Sequence, residues 1–291
     1  MTAFVFPGQG AQFEGMGLDI FDSSEVAKDI FLMADEILGF ELSKIMFYGS
    51  TEELKQTKVT QPALFVHSIA TLKARGSGSP QAVAGHSLGE FSALVANGTL
   101  SFEDGLKLVY TRALAMQLAC ESNRGTMAAI LGIDDILVKE ICASIDEVVV
   151  AANFNCPGQI VISGSIKGVK EGMEKLMEAG AKRAIQLEVG GAFHSPLMEP
   201  ARAELAKAIN NTFFNQPKCP VYQNINALPQ LDPEKIKLNL IAQLTGAVKW
   251  TETIENMMVN GINSFIEVGG SGKVLSGLIK KVDRSVETIT L

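Results

Sequence analysis

"AVAGHSLGEFSALVANG", residues 82–98, decides how this chain is read. Ala82, Val83 and Ala84 have the character of a buried strand end, and from Leu88 onward the residues favour helix until Asn97-Gly98 stops it. Between the two, Gly85 and Gly89 bracket Ser87 in a G-x-S-x-G pattern. A sharp strand-to-helix turn of this kind projects a serine hydroxyl into a cleft, and the glycines remove Cβ atoms that would crowd it. The helix N-terminus beneath the serine offers unpaired N–H groups and a partial positive charge. The simpler meaning of the same residues is a serine that only caps a helix. If Ser87 is a nucleophile, it needs a base.

Only three histidines exist. His67 sits in an apolar helical stretch and reads as a buried structural residue. His86 precedes Ser87, so its side chain leaves the turn on another side and is expected to pack beneath it. His194, in "GGAFHSPLMEPA" (190–201), occupies a loop between a strand and a helix, where catalytic groups commonly sit. It is the base that the residues favour.

The rest of the chain narrows the setting. With 291 residues there is room for one large domain and a smaller one. No apolar run approaches the ~20 residues of a membrane span, and Met1-Thr2 leads into "AFVF" without a basic n-region, so neither a membrane anchor nor a signal peptide is expected. Cys120, Cys142, Cys156 and Cys219 are scattered without a C-x-x-C pair, which suits reduced thiols in a cytoplasm and gives no metal site. A formal charge of −7 argues against general nucleic-acid binding. Two glycine-rich stretches fail as phosphate sites. Gly8 and Gly10 are followed by Phe13 where a dinucleotide fingerprint needs glycine, and "GGSGK" (269–273) runs into Val274 where a P-loop needs Ser or Thr.

Periodicity supplies the architecture. "TAFVF" (2–6) reads as a buried strand, "SSEVAKDIFLMADEILG" (23–39) and "QPALFVHSIATLKA" (61–74) as helices, the latter with Pro62 in its first turn. "RGSGSPQ" (75–81) reads as a surface loop. Ser101 to Asp104 form a capping signal for a helix reaching about Leu118, with Leu106, Val109, Tyr110, Ala113 and Leu114 as its buried stripe. From about Gly125 to Val189 the order becomes β-α-β-β-α-β, the ferredoxin-like unit. The chain then returns to strand "SFIEV" (264–268) and helix "KVLSGLIKK" (273–281). The expectation is an α/β fold: an α/β-hydrolase-like large domain with a parallel sheet (residues 1–124 and 190–291) and an inserted ferredoxin-like domain (residues 125–189).

"FPGQGAQ" (6–12), "GHSLGEFSAL" (85–94), Arg112, "GAFHSPLM" (191–198) and "FIEVG" (265–269), in this order, resemble the malonyl-CoA:acyl-carrier-protein transacylase family of fatty-acid synthesis, whose relatives serve as acyltransferases of polyketide synthases. The resemblance spans essentially the whole chain. It implies Ser87 as the nucleophile, His194 as the base, and the backbone N–H groups of Gln9 and Leu88 as the oxyanion hole. It implies Arg112 as the partner of the malonyl carboxylate, although on spacing alone Arg112 reads as a solvated residue on a helix flank. It further implies a backbone carbonyl of Gln243 that orients the histidine in place of an acid, Asn155 beside the substrate arm, and Phe193 as a ring that disfavours methylmalonyl. The implied partners are malonyl-CoA and acyl carrier protein, with no cofactor, no membrane and a monomeric, cytoplasmic chain. One departure stands out: "GGSGKVL" (269–275) replaces a shorter G-P-G-K turn.

Three alternatives stay open: a trans-acting polyketide acyltransferase, a serine thioesterase or hydrolase, and a non-enzymatic carrier-binding module. The order Ser87 before His194 also fits a hydrolase triad, whereas Arg112 and the G-Q-G turn have no part in hydrolysis.

Overall fold

The structure, a computed structural model, describes residues 1–76 and 78–291. It opens with β1 (Thr2–Phe6), whose side chains alternate between two buried clusters, Phe4 and Phe6 on one side and Ala3 and Val5 on the other. Helices α1 (Leu18–Ser23), α2 (Glu25–Leu38), α3 (Leu42–Tyr48), α4 (Thr51–Lys55) and α5 (Thr57–Arg75) follow. Ser24 starts α2 by accepting the Ala27 N–H, and Gly39, in the left-handed region, ends it. Helix α5 begins at Thr57, so Pro62 lies inside it and not in its first turn. Ser77, part of the loop expected over 75–81, lies outside the described residues.

Then come β2 (Ala82–Gly85), α6 (Gly89–Ala96) and α7 (Phe102–Ser122), the last capped by Ser101 as its S-x-x-D signal requires. The buried arc of α7 differs from the expected stripe. Leu114 is exposed, Tyr110 is half-buried, and Arg112 faces inward with only 1% exposure. The helix packs against α5 and, on another side, against a later helix, so its buried arc is wider than one amphipathic stripe.

The inserted unit runs β3 (Gly125–Leu131), α8 (Asp135–Ala143), β4 (Val149–Cys156), β5 (Gln159–Ser165), α9 (Ile166–Glu178) and β6 (Arg183–Gln186). Its antiparallel sheet has the order β4-β5-β3-β6, the arrangement of the ferredoxin-like unit. Strand β6 ends at Gln186, short of Val189, where the unit was expected to close. Helices α8 and α9 cover one face through Val138, Val169 and Leu176, while Met127 and Val161 on the other face turn toward the large sheet.

The chain closes with α10 (Glu199–Asn210), β7 (Val221–Tyr222), β8 (Pro229–Gln230), α11 (Pro233–Gln243), α12 (Trp250–Val259), β9 (Ser264–Glu267), α13 (Val274–Val282) and β10 (Glu287–Thr290). Together with β1 and β2 these strands form a sheet ordered β10-β9-β1-β2-β7-β8, parallel except for β8. Helices bury both faces, as expected of a mainly parallel sheet. Loops leaving the carboxyl ends of β1 and β2 carry Gln9 and Ser87, the end at which such sheets build their sites.

Candidate active site

The turn after β2 is held to β1 by the His86 N–H, which donates to Phe6 O at 2.9 Å. Its glycines are needed for close approach rather than to clear space around the serine. A Cβ on Gly85 would lie 1.9 Å from the Gly89 carbonyl carbon, and one on Gly89 would lie 2.0 Å from Phe6 O. Ser87 itself sits in the left-handed region at φ 52°, a conformation that a non-glycine residue keeps only when its surroundings enforce it. The enforcing contact is Asn224, whose Oδ1 accepts the Ser87 N–H at 2.6 Å while its Nδ2 donates to Gly85 O at 2.7 Å.

His194 comes from the loop after β6 and is likewise left-handed, at φ 56°. Its Nε2 lies 2.7 Å from Ser87 Oγ. Its Nδ1 faces carbonyl oxygens, Gln243 O at 2.9 Å and Gly246 O at 3.2 Å, so Nδ1 carries the hydrogen and Nε2 keeps a lone pair for the serine. Burial first, and the Arg112 charge second, push the imidazole down to about 3. It therefore rests neutral.

Arg112 reaches the same hydroxyl from α7, with Nη2 donating to Ser87 Oγ at 2.9 Å. Its other bonds go to amide oxygens, Gln61 Oε1 at 2.6 Å and Gln243 Oε1 at 3.4 Å, and its Nε has no partner among the described residues. Burial lowers it to about 10, so it remains a cation at neutral pH. Gln243 contributes more than the expected carbonyl, since its Nε2 donates to Ser87 O at 2.9 Å and to Glu90 Oε2 at 2.8 Å.

Among the described residues, neither the Gln9 N–H nor the Leu88 N–H meets a protein acceptor, and both residues line the cleft above Ser87. Asn155 and Phe193 line it too, at 9% and 6% exposure. Asn155 Oδ1 lies 2.9 Å from His86 Nε2, so His86 faces the cleft instead of packing beneath the turn. His67 is elsewhere and buried, with Nδ1 accepting the Gly270 N–H at 3.0 Å. That bond ties the glycine-rich turn, whose Gly269, Gly270 and Gly272 all have positive φ, onto α5. The cleft measures about 470 Å³ and runs from Ser87 between the two sheets to Val274 and Leu278.

Sequence reasoning missed Gln61, Glu90, Asn224 and Gly246. Glu90 had a local signal, a carboxylate three residues after Ser87 in an otherwise apolar helical turn. The structure buries it completely and pushes it up to about 6, with bonds from Asn224, Gln243 and Gln223 opposing that rise. Asn224 and Gly246 arrive from distant segments and have no local signature.

Chemically, the arrangement offers a hydroxyl poised on a neutral imidazole, two unpaired N–H groups beside it, and a cation whose partners leave it free to receive an anion. Among the described residues no cluster of His, Cys, Asp or Glu is placed to hold a metal ion, and no helix is long and apolar enough to cross a membrane.

The chain is 47% identical over 294 residues to a malonyl CoA-acyl carrier protein transacylase of Bacillus subtilis (strain 168), covering 99% of this chain and 92% of the relative. It is 43% identical over 293 residues to one of Staphylococcus aureus (strain MW2), covering 100% of this chain and 95% of that one. A crystal structure of an acyl carrier protein S-malonyltransferase from Vibrio cholerae superposes with a TM-score of 0.95 at 42% identity, covering 100% of this chain and 96% of that one. A malonyl-transacylase in complex with its type II PKS acyl-carrier protein superposes with a TM-score of 0.95 at 36% identity, covering 100% and 95%. Residues 3–291 match the family described as acyl transferase domain, and the chain belongs to that family.

Proposed function

We infer that this chain transfers the malonyl group of malonyl-CoA to the phosphopantetheine thiol of acyl carrier protein, in fatty-acid synthesis, through a malonyl ester on Ser87. The observation that carries the reading is the double engagement of one oxygen. Ser87 Oγ lies 2.7 Å from His194 Nε2 and 2.9 Å from Arg112 Nη2, which joins a base-activated nucleophile to a cation suited to a free carboxylate.

In the first half-reaction Ser87 Oγ attacks the thioester carbonyl and His194 Nε2 takes its proton. The tetrahedral oxyanion is received by the Gln9 and Leu88 N–H groups; one such donor typically accounts for ~10²–10³ in turnover. The C–S bond breaks, and His194 returns the proton to the departing coenzyme A thiol. In the second half-reaction His194 takes the proton of the carrier thiol, sulfur attacks the ester, and Ser87 leaves with the proton. Throughout, Arg112 pairs with the malonyl carboxylate, Gln243 O holds the imidazole tautomer, and Phe193 and Asn155 flank the acyl group and its arm. Exchange of a thioester for an ester and back needs no redox or metal step, so the reading includes no cofactor.

The division into a catalytic body (1–124 and 190–291) and an inserted unit (125–189) belongs to the same reading, supported by the two separate sheets and by a cleft lined from both. So does a single chain as the working unit. Four free cysteines suit a cytoplasmic setting. Against a hydrolase stands the His194 environment, where Nδ1 faces two carbonyls instead of an acid.

The test is intact-mass analysis of holo acyl carrier protein incubated with malonyl-CoA and catalytic amounts of the chain. The expected outcome is a malonylated carrier with the wild type and none with Ser87→Ala. Release of free coenzyme A without carrier malonylation would replace the transferase by a hydrolase.

A further inference from the structure

Behind Ser87 lies a fully buried carboxylate, Glu90, that touches none of the reacting atoms. It accepts from three donors: Gln223 Nε2 at 3.0 Å, the Asn224 N–H at 3.0 Å and Gln243 Nε2 at 2.8 Å. We propose that Glu90 is a positioning residue for malonyl selection: by accepting from Gln243 it turns that amide's oxygen toward Arg112 and so presents the guanidinium, without an ion pair of its own, to the substrate carboxylate.

Donor and acceptor matching fixes the orientation of the Gln243 amide. Gln243 Nε2 faces Glu90 Oε2 and Ser87 O, two groups that only accept, and its Oε1 therefore points the other way, to Arg112 Nη2 at 3.4 Å. Arg112 is held on its other side by Gln61 Oε1 at 2.6 Å. Both holders are neutral oxygens, and among the described residues no carboxylate pairs with the guanidinium. A directly paired acid would compete with malonyl for the same fork. Placed one amide behind, Glu90 opposes the burial of the Arg112 charge through the field and leaves the fork free. The simpler role for Glu90, an acid in the first turn of α6 that favours the helix N-terminus, explains stability but gives no reason for a preference between acyl groups.

A glutamine at position 90 keeps the shape but has one acceptor oxygen for three donors, so Gln243 loses part of what fixes its orientation. This inference rests on the malonyl-transferase reading, and its test separates the two. Steady-state kcat/KM is measured with malonyl-CoA and acetyl-CoA, one carrier protein as acceptor, for wild type, Glu90→Gln and Gln243→Met. The expected result is a loss of ~10²-fold for malonyl, the scale of a misplaced binding group, and a severalfold smaller loss for acetyl. Because Gln243→Met preserves volume and the backbone carbonyl, it carries the same expectation if Glu90→Gln does not fold. Equal losses for the two acyl groups, or a malonyl preference unchanged or raised, would overturn the inference. A wild type that fails to malonylate the carrier at all would instead overturn the reading on which it rests.

Discussion

His194 and His67 are both buried, both close to a glycine-bearing turn and both shifted well below the ordinary imidazole range. They differ in what meets Nδ1. At His194 two carbonyl oxygens meet it, which leaves the Nε2 lone pair free for Ser87. At His67 the Gly270 N–H meets it, which spends the Nδ1 lone pair and puts the hydrogen on Nε2. Burial and depressed basicity are therefore common to both rings. On the proposed mechanism, the partner of the second nitrogen is what separates them. A guanidinium lies near each ring as well, but Arg75 beside His67 is paired with Asp19 at 3.5 Å, whereas Arg112 beside His194 has no acid partner among the described residues.

The largest expected effect breaks this comparison in two. His194→Ala should lower malonyl transfer by ~10³-fold or more with the fold intact, the scale of a lost general base. His67→Ala should leave kcat/KM of the folded protein within about threefold and lower its stability by about 1–3 kcal/mol, because the buried Gly270 N–H loses its acceptor. Kinetics and thermal melts on both variants check it, and a His67→Ala protein that folds normally but fails to transfer malonyl would erase the distinction.

Next in size is Arg112. Arg112→Ala should cut malonyl-CoA turnover by ~10²-fold, as expected when a desolvated carboxylate loses its partner, and affect acetyl-CoA far less. Competition assays with the two thioesters read the ratio directly. An equal loss for both would make Arg112 a structural neighbour of Ser87, as Arg75 is of His67.

The smallest effect concerns acid stability, where the two histidines should behave alike. Their folded values, about 3 for His194 and about 4 for His67, lie below the unfolded 6.5, so the unfolded chain binds protons that the folded chain refuses. Stability is then full above pH 6.5 and is lost as the pH falls toward those values. Glu90 acts in the opposite sense. Raised from 4.5 to about 6, it contributes stability below pH 4.5 that is lost as the pH rises through 6. Between pH 7 and pH 5 each histidine costs on the order of 2 kcal/mol and Glu90 returns about 1 kcal/mol, so Tm should fall. His67→Gln, which keeps an acceptor for Gly270, should show a smaller fall over that interval than the wild type.

Much of this was legible in the sequence because it is local. The elbow at 82–98, the Ser101 cap and the β-α-β-β-α-β order all lie within short windows, and the structure reproduces them. Strands β7 and β8, of two residues each, have no period to detect, and β10 is an edge strand that pairs with β9 and packs on α13. Arg112 was misplaced on a helix flank because α7 packs on more than one side, which one stripe cannot express. Asn224, Gly246 and the side chain of Gln243 join Ser87 and His194 across long stretches of chain, and no spacing rule announces such contacts. The residues themselves pointed to Ser87 and His194, the resemblance to a family added Arg112, and neither indicated the carboxylate behind them.

The central claim, that the Nδ1 partner makes His194 a base and His67 a strut, is tested most directly by nitrogen NMR of the histidine rings at neutral pH. Signals are assigned with the His194→Ala and His67→Gln proteins. The expected result is a neutral His194 with hydrogen on Nδ1 and a bare Nε2, and a neutral His67 with hydrogen on Nε2. A His194 ring protonated at Nε2, whether neutral or as the imidazolium, would contradict it.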